Sequence, residues 1–303
     1  MSLLPSATEI VAALGAMESL VGVTHCCDYP AVVDSRVRVT TTSVDANAAP
    51  DEIDRQVRAL MDGGAPLYQL LEDRIRDLRP DLILTQALCD VCAVVETDVR
   101  ALAARLDPSP SVVSLSATTL DGVLDDIARA AEALGAQDEA EELLAGARAR
   151  MRLVHETLKA AKAPRPRVAV IEWGDPIFAA GHWVPEMVRR AGGIDVLATA
   201  GEHSRTFTLQ QLRDADPEIL LIAPCGYDLQ SSLDEAQRLL ALPEWAWSRE
   251  RLVFALDANA LVSRPGPRVI DGIEVMARLF NPSLFSPVDP HYAAPLRAAT
   301  LHA

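Results

Sequence analysis

The sequence predicts an α/β fold in which two Rossmann-like lobes are joined by a single long backbone helix. Three observations carry this expectation. Short apolar runs alternate with helical patterns along the chain. One amphipathic stretch is too long for a routine crossover within a small sheet, and helix–turn–strand segments match between the two halves. At 303 residues the chain also exceeds the length at which one core usually keeps growing. The expected layout is an N-terminal lobe over 1–136, the helix over 137–163, a second lobe over 164–282 and a weakly structured tail over 283–303.

In the first half, VGVTH (21–25), DLILTQ (81–86) and SVVSLS (111–116) are short, apolar and bounded by turn residues, as buried strands are. Helical patterns such as ATEIVAALGAM and TDVRALAARL lie between them, and the opening MSLLPS reads as the second half of a strand. RVAVIEW (167–173), EILLIAP (218–224) and RLVFALD (251–257) repeat the style. Between the halves, Ala140, Leu143, Ala147, Met151, Val154, Leu158 and Ala161 recur at helical spacing and form one apolar stripe. Acids crowd the first turn of this helix and lysines its last, as the helix dipole favours, and PRPR stops it. At about 1.5 Å per residue it spans roughly 40 Å. RIRDLRPDLILTQ (74–86) matches QLRDADPEILLIA (211–223), which sets Pro80 on Pro217 and Leu88, beside Cys89, on Cys225. Thiols from both halves thus leave the carboxyl ends of equivalent strands, where open α/β sheets bind ligands.

The net charge is −15, from 43 acids and 28 bases, without a Lys/Arg run. That balance argues against nucleic acid and anionic membrane surfaces as partners. No segment approaches the ~20 apolar residues of a membrane span, so membrane insertion is not expected. The opening residues do not have the pattern of a signal peptide. As written, the chain reads as cytoplasmic, and a natural start further upstream would make it periplasmic. Five cysteines in so long a chain do not form a disulfide scaffold. Phosphate-binding glycine loops, GxSxG and HExxH are missing, so no complete catalytic constellation is legible.

The predicted strand ends are rich in capable side chains. THCCDYP supplies His25, Cys27 and Tyr29; EWGDPIFAAGHW supplies Trp173, Phe178, His182 and Trp183; HSRTF supplies His203 and Phe207; PCGYD supplies Cys225 and Tyr227. Of four Trp, four Tyr and five Phe, three rings fall between 173 and 183. A planar apolar ligand would use such faces. Cys89 and Cys92 admit four readings: part of a metal site with His25, Cys27 and Cys225, a redox pair, a disulfide, or buried small hydrophobes. Each histidine fits either a ligand or a hydrogen-bonded loop post. Trp183 fits either a ring face or an anchor for the helix that follows it, while Trp245 and Trp247 fit a packed connection. RPGPR (264–268) reads as a loop entering the last helix, with Pro267 in its first turn.

SLLPSATEIVAALG, VGVTHCCDYP, LRPDLILTQALCDVCAV, the long helix, EWGDPIFAAGHWVPEMVRRAGG, ADPEILLIAPCGYDL and NALVSRPGPRVIDGIE together resemble the cobalamin-binding branch of the class III periplasmic substrate-binding proteins of ABC transporters, over about residues 2 to 282. The resemblance implies two α/β lobes with a ligand in the cleft between them. It implies capture and release without bond breaking, a permease/ATPase partner, and a monomer. Carried over by position, Tyr29, Tyr68, Trp173, Phe178, Trp183 and the segment around Asn259 would hold a corrinoid. His182, Phe207 and Tyr227 join them as strand-end candidates. A metal ion or metal chelate (siderophore or haem) held by His25, Cys27, Cys89, Cys92 and Cys225 is the alternative ligand. A cytoplasmic corrinoid-processing or thiol-dependent enzyme on the same scaffold is the further one. Transporter-docking relatives present an acid near the start of equivalent helices in the two lobes. Glu72 and Asp73 fit that pattern in the first, but the second offers Gln210.

Overall fold

The structure, a computed structural model, describes residues 1–45, 48, 50–63, 65–87 and 94–296. It divides into two compact units, Met1–Ala117 with Leu124–Leu144, and Thr118–Val123 with Ala145–Ala303.

The first unit contains α1 (Pro5–Ala13), β1 (Gly22–Val23), β2 (Val37–Arg38), β3 (Thr40–Thr42), α2 (Pro50–Asp62), β4 (Tyr68–Leu70), α3 (Glu72–Leu78), β5 (Leu82–Thr85), α4 (Glu96–Ala103) and β6 (Ser111–Ser114). Helices α5 (Leu120–Leu134) and α6 (Gln137–Ala160) follow, each with residues in both units. β1 pairs in parallel with β2, and β5 with β6. Residues 1–3 lie between the two pairs: Ser2 bridges to both Val23 and Leu84 in parallel, and Leu3 N–H donates to the Leu84 carbonyl at 2.9 Å. The opening segment is therefore the central strand of this sheet. Its side chains explain why, since Met1 and Leu3 join Val39, Ile75, Ile83 and Val99 in one buried cluster. β3 and β4 form a separate antiparallel pair, which places Tyr68 on a strand.

The second unit contains β7 (Arg167–Gly174), β8 (Ile177–Ala179), α7 (Val184–Arg190), β9 (Ile194–Asp195), β10 (Arg205–Phe207), α8 (Leu209–Asp214), β11 (Ile219–Ile222), α9 (Leu229–Ala241), β12 (Leu252–Leu256), α10 (Ala258–Leu261), α11 (Val269–Phe280) and β13 (Ala293–Pro295). Its seven-stranded sheet runs β10-β8-β7-β11-β12-β13, with β9 on β7. β7, β9, β11 and β12 are parallel, while β8, β10 and β13 are antiparallel additions. All of β11 is buried, as a strand covered on both faces must be. Of the tail expected over 283–303, residues 297–303 lie outside the described residues, and Ala293–Pro295 form a strand. β13 closes one edge of the sheet, pairing Leu256 with Ala293 and Phe254 with Pro295, because a short apolar AAP can hydrogen-bond to an otherwise open edge.

The match between the halves is realised in the backbone. The chain leaves α3 through Arg79 (φ 45°) before Pro80 and β5, and leaves α8 through Ala215 and then Asp216 (φ 43°) before Pro217 and β11. Left-handed geometry ends a helix by turning the chain out of it, and proline cannot continue the helix. In the second unit, Arg167 clamps the corner through the carbonyls of Ala215 and Asp216, and Arg251 through the Asp216 carboxylate at 2.6 Å.

α6 is continuous over 24 residues, as its stripe predicts. Arg150 on α6 ties it to α11 through Asp271 (2.6 Å) and Glu274 (2.8 Å). α11 starts at Val269, so Pro267 lies before the first turn, not in it. Trp245 and Trp247 stack in the connection after α9, with Trp245 in the core. Gly272 lets α11 approach α10: a Cβ there would press on the Leu261 carbonyl oxygen and lie 2.6 Å from the Met187 methyl. Gly272→Ala is therefore expected to cost about 1–3 kcal/mol of stability by overpacking, read as a lower urea midpoint with unchanged slope.

Candidate functional site

In the first unit, the carboxyl end of β1 leads into Thr24 and His25, which a hydroxyl hub fixes in place. Thr40 Oγ1 lies 2.8 Å from Thr24 Oγ1 and 2.8 Å from His25 Nδ1, and it accepts the His25 backbone N–H at 3.0 Å. The Tyr68 ring leans on the imidazole at 5.4 Å between centroids. Arg38 donates to the carbonyl oxygens of Cys27 (2.6 Å) and Thr24 (3.2 Å), pinning the loop that carries them. Burial, then the nearby Arg38 charge, hold the His25 pKa below its ordinary 6.5, so the imidazole is neutral at pH 7. Tyr29 stands 47% exposed further along the same loop.

Cys27 departs from expectation. It is only 2% exposed, with Sγ 3.0 Å from Thr8 Oγ1 on α1, whereas its neighbour Cys26 is exposed. The small thiol fills a gap between the loop and α1 rather than meeting solvent. Cys89 and Cys92 lie outside the described residues. Among the described residues, no group of three or more His, Cys, Asp or Glu gathers where a metal ion could sit.

In the second unit, β7, β11 and β12 end side by side and bring four of the expected residues together. Trp173, at the end of β7, pairs across to Phe178 on β8, which places both rings on one face of the sheet. Tyr227, just beyond β11, meets Trp173 edge to face at 5.9 Å. Asn259, just beyond β12, donates its backbone N–H to the Tyr227 carbonyl and its side-chain amide to the Gly226 carbonyl. Gly226, at φ 88°, makes the turn this arrangement requires. Cys225 is exposed in the same turn, its N–H donated to the Glu172 carbonyl. Burial, then the Glu235 carboxylate, raise the Tyr227 pKa, so the phenol keeps its proton near neutrality.

Two expected ring faces belong elsewhere. Trp183 is 5% exposed and donates its indole N–H to the Val262 carbonyl at 2.9 Å. It anchors the start of α7 in the core. Phe207 lies on edge strand β10 opposite Ile177, one residue out of step with Phe178. The two-residue period of a strand therefore turns it to the opposite face, against the core. His182 faces His203. The sequence reading did not find Thr24 and Thr40 as the hub or Arg38 as its clamp. Threonines at strand ends beside a histidine were the available signal. Glu72 and Asp73 occupy the first turn of α3, and Gln210 the first turn of α8.

The chain belongs to the periplasmic binding protein family, the class III substrate-binding proteins of ABC transporters, whose family model matches residues 1–259. It is similar to the uncharacterized ABC transporter substrate-binding lipoprotein YvrC of Bacillus subtilis (strain 168), with 24% identity over 297 residues, covering 94% of this chain and 80% of the relative. Its fold is similar to a periplasmic haem-binding protein from Pseudomonas aeruginosa (TM-score 0.70, 23% identity, 96% of this chain and 95% of that one). It is also similar to the periplasmic vitamin B12 binding protein BtuF of Vibrio cholerae (TM-score 0.63, 21% identity, 93% of this chain and 96% of that one).

The lowered His25 pKa has a consequence for stability. Above pH 6.5 the residue is neutral folded and unfolded; below it, the unfolded chain takes up the proton first. His25 therefore costs stability as pH falls from about 6.5 towards its lower folded value, where the loss levels off. His25→Gln is expected to flatten the acid side of a urea-unfolding series between pH 8 and pH 5. An unchanged profile would remove His25 as a source of the loss.

Proposed function

We propose that this protein is the substrate-binding component of an ABC-type uptake system and that its cargo is a corrinoid. The observation that carries the ligand assignment is the group formed by Trp173, Tyr227, Phe178 and Asn259 at the carboxyl edge of the second unit's sheet. Two perpendicular rings with a third beside them offer apolar faces to a macrocycle, and an amide supplies a polar group to a corrin's periphery. Family membership and the B12-binding structural neighbour support this reading. The action is capture and release, with no bond made or broken, and the partner is a permease/ATPase. Because the related YvrC is a lipoprotein, we place the protein outside the cytoplasmic membrane. Among the described residues, no helix is long and apolar enough to cross a membrane.

Haem is the second reading, favoured by the haem-binding neighbour. The same rings suit a porphyrin. Titrating the purified protein with cyanocobalamin and, separately, with haemin, by visible spectroscopy and calorimetry, distinguishes them. The expected outcome is saturable one-to-one uptake of cyanocobalamin at micromolar or tighter affinity. Trp173→Ala should weaken it by about tenfold, roughly 1.4 kcal/mol, with little change in unfolding midpoint. Saturable haemin binding with no cobalamin uptake would replace the corrinoid assignment.

A further inference from the structure

The segment after β8 and the one before β10 are stitched together around two histidines. His182 is in the left-handed region at φ 54°, a conformation that disfavours any residue with a Cβ. Two backbone hydrogen bonds hold it there: its N–H donates to the Glu202 carbonyl at 2.6 Å, and its carbonyl accepts from Gly201 N–H at 2.9 Å; the preceding Gly181 N–H donates to Ser204 Oγ at 3.0 Å. Gly181 cannot be replaced without moving the opposite strand of backbone, because a Cβ would lie 2.5 Å from the Glu202 oxygen and 2.6 Å from the Ser204 nitrogen. The strained geometry delivers His182 Nε2 to 3.1 Å from His203 Nδ1, with the rings nearly perpendicular at 87°.

We propose that His182 and His203 form a two-imidazole site for a borderline divalent transition-metal ion such as Co²⁺ or Ni²⁺. Two nitrogens bound to one metal at about 2.0–2.1 Å lie roughly 3.0 Å apart when cis in an octahedron and about 3.4 Å apart in a tetrahedron. The observed separation is already in that range, so a small rotation of either ring turns both lone pairs to one point. The chemistry fits: imidazole suits these cations, and coordination needs the neutral ring. Each ring can carry its remaining proton on its other nitrogen, so binding needs only a tautomer change. His203 is exposed, which opens the pair to an arriving ion, and water completes the coordination shell. The neighbouring Glu202 carboxylate is engaged by Arg205 at 3.5 Å. The site is independent of the Trp173 group and stands whatever that group binds.

The test is Co²⁺ binding to the full chain, followed by calorimetry and visible absorption. The comparison is between the parent protein, His182→Asn, His203→Gln and a control, His155→Gln, whose residue is exposed on α6. Asparagine tolerates the left-handed backbone, so His182→Asn removes the imidazole while sparing the loop, and unfolding curves of all four report folding separately. The expected result is one equivalent of Co²⁺ held by the parent and by His155→Gln. That equivalent should be weakened at least tenfold in each of the other two variants, and its spectrum should lack a near-ultraviolet sulfur-to-cobalt band. Co²⁺ stoichiometry and affinity unchanged in His182→Asn and His203→Gln, no binding by the parent, or loss only on blocking thiols would overturn the proposal.

Discussion

The parallel ladder β7–β11–β12 is the constraint on which the second unit depends. Ile219 to Ile222 hydrogen-bond to Val168–Ile171 on one side and to Leu252–Ala255 on the other. Their side chains are buried on both faces of the sheet. Parallel register makes the three strands end together, and the loops beyond them have nowhere to go but the same edge. Trp173, Cys225, Tyr227 and Asn259 are close neighbours for that reason. No attraction among them is needed to explain their meeting. An edge-to-face aromatic contact contributes only about 0.5–1.5 kcal/mol, far less than the burial of the strands beneath. The core aims the site, and the site adds little to the core.

The first unit applies the same rule with polar groups. Residues 1–3, β1 and β5 run parallel, and Thr24 and His25 leave the end of β1. There the loop is secured by hydroxyls and by Arg38 rather than by a helix cap. Thr40, at the start of an antiparallel pair, serves the loop as a donor and acceptor in one place. Hydroxyl groups can do this because their hydrogen rotates to suit each neighbour.

Much of this was legible in the sequence, and the parts that were not have physical reasons. The buried runs DLILTQ and EILLIAP became β5 and β11 because continuous apolar segments bounded by turns allow little else. The Arg79–Pro80 and Asp216–Pro217 corners were visible because proline marks them, although their shared left-handed φ was not. Trp183 and Phe207 were misplaced because ring count says nothing about which side of a strand or helix faces the core. One residue of register separates Phe178 from Phe207. Cys27 was misplaced because a thiol reads alike as a ligand and as a small apolar filler. β13 was missed because three residues at a sheet edge carry too weak a pattern to separate from a tail. The His182–His203 meeting depends on a pairing across 21 positions, which no local spacing encodes.

The electrostatics of the titratable side chains narrow what each can hold. His25 and His182 are both driven towards the neutral form, and Tyr227 keeps its proton. Burial is the leading cause in each case, so these positions are poor hosts for charge but good ones for rings and lone pairs. Arg38 is directed to the backbone carbonyls of Thr24 and Cys27 and to Asp34, and Arg150 to Asp271 and Glu274. Both serve structure in those contacts. Neutral imidazoles, a phenol and an indole each suit broad, polarisable surfaces or metals that accept nitrogen donors.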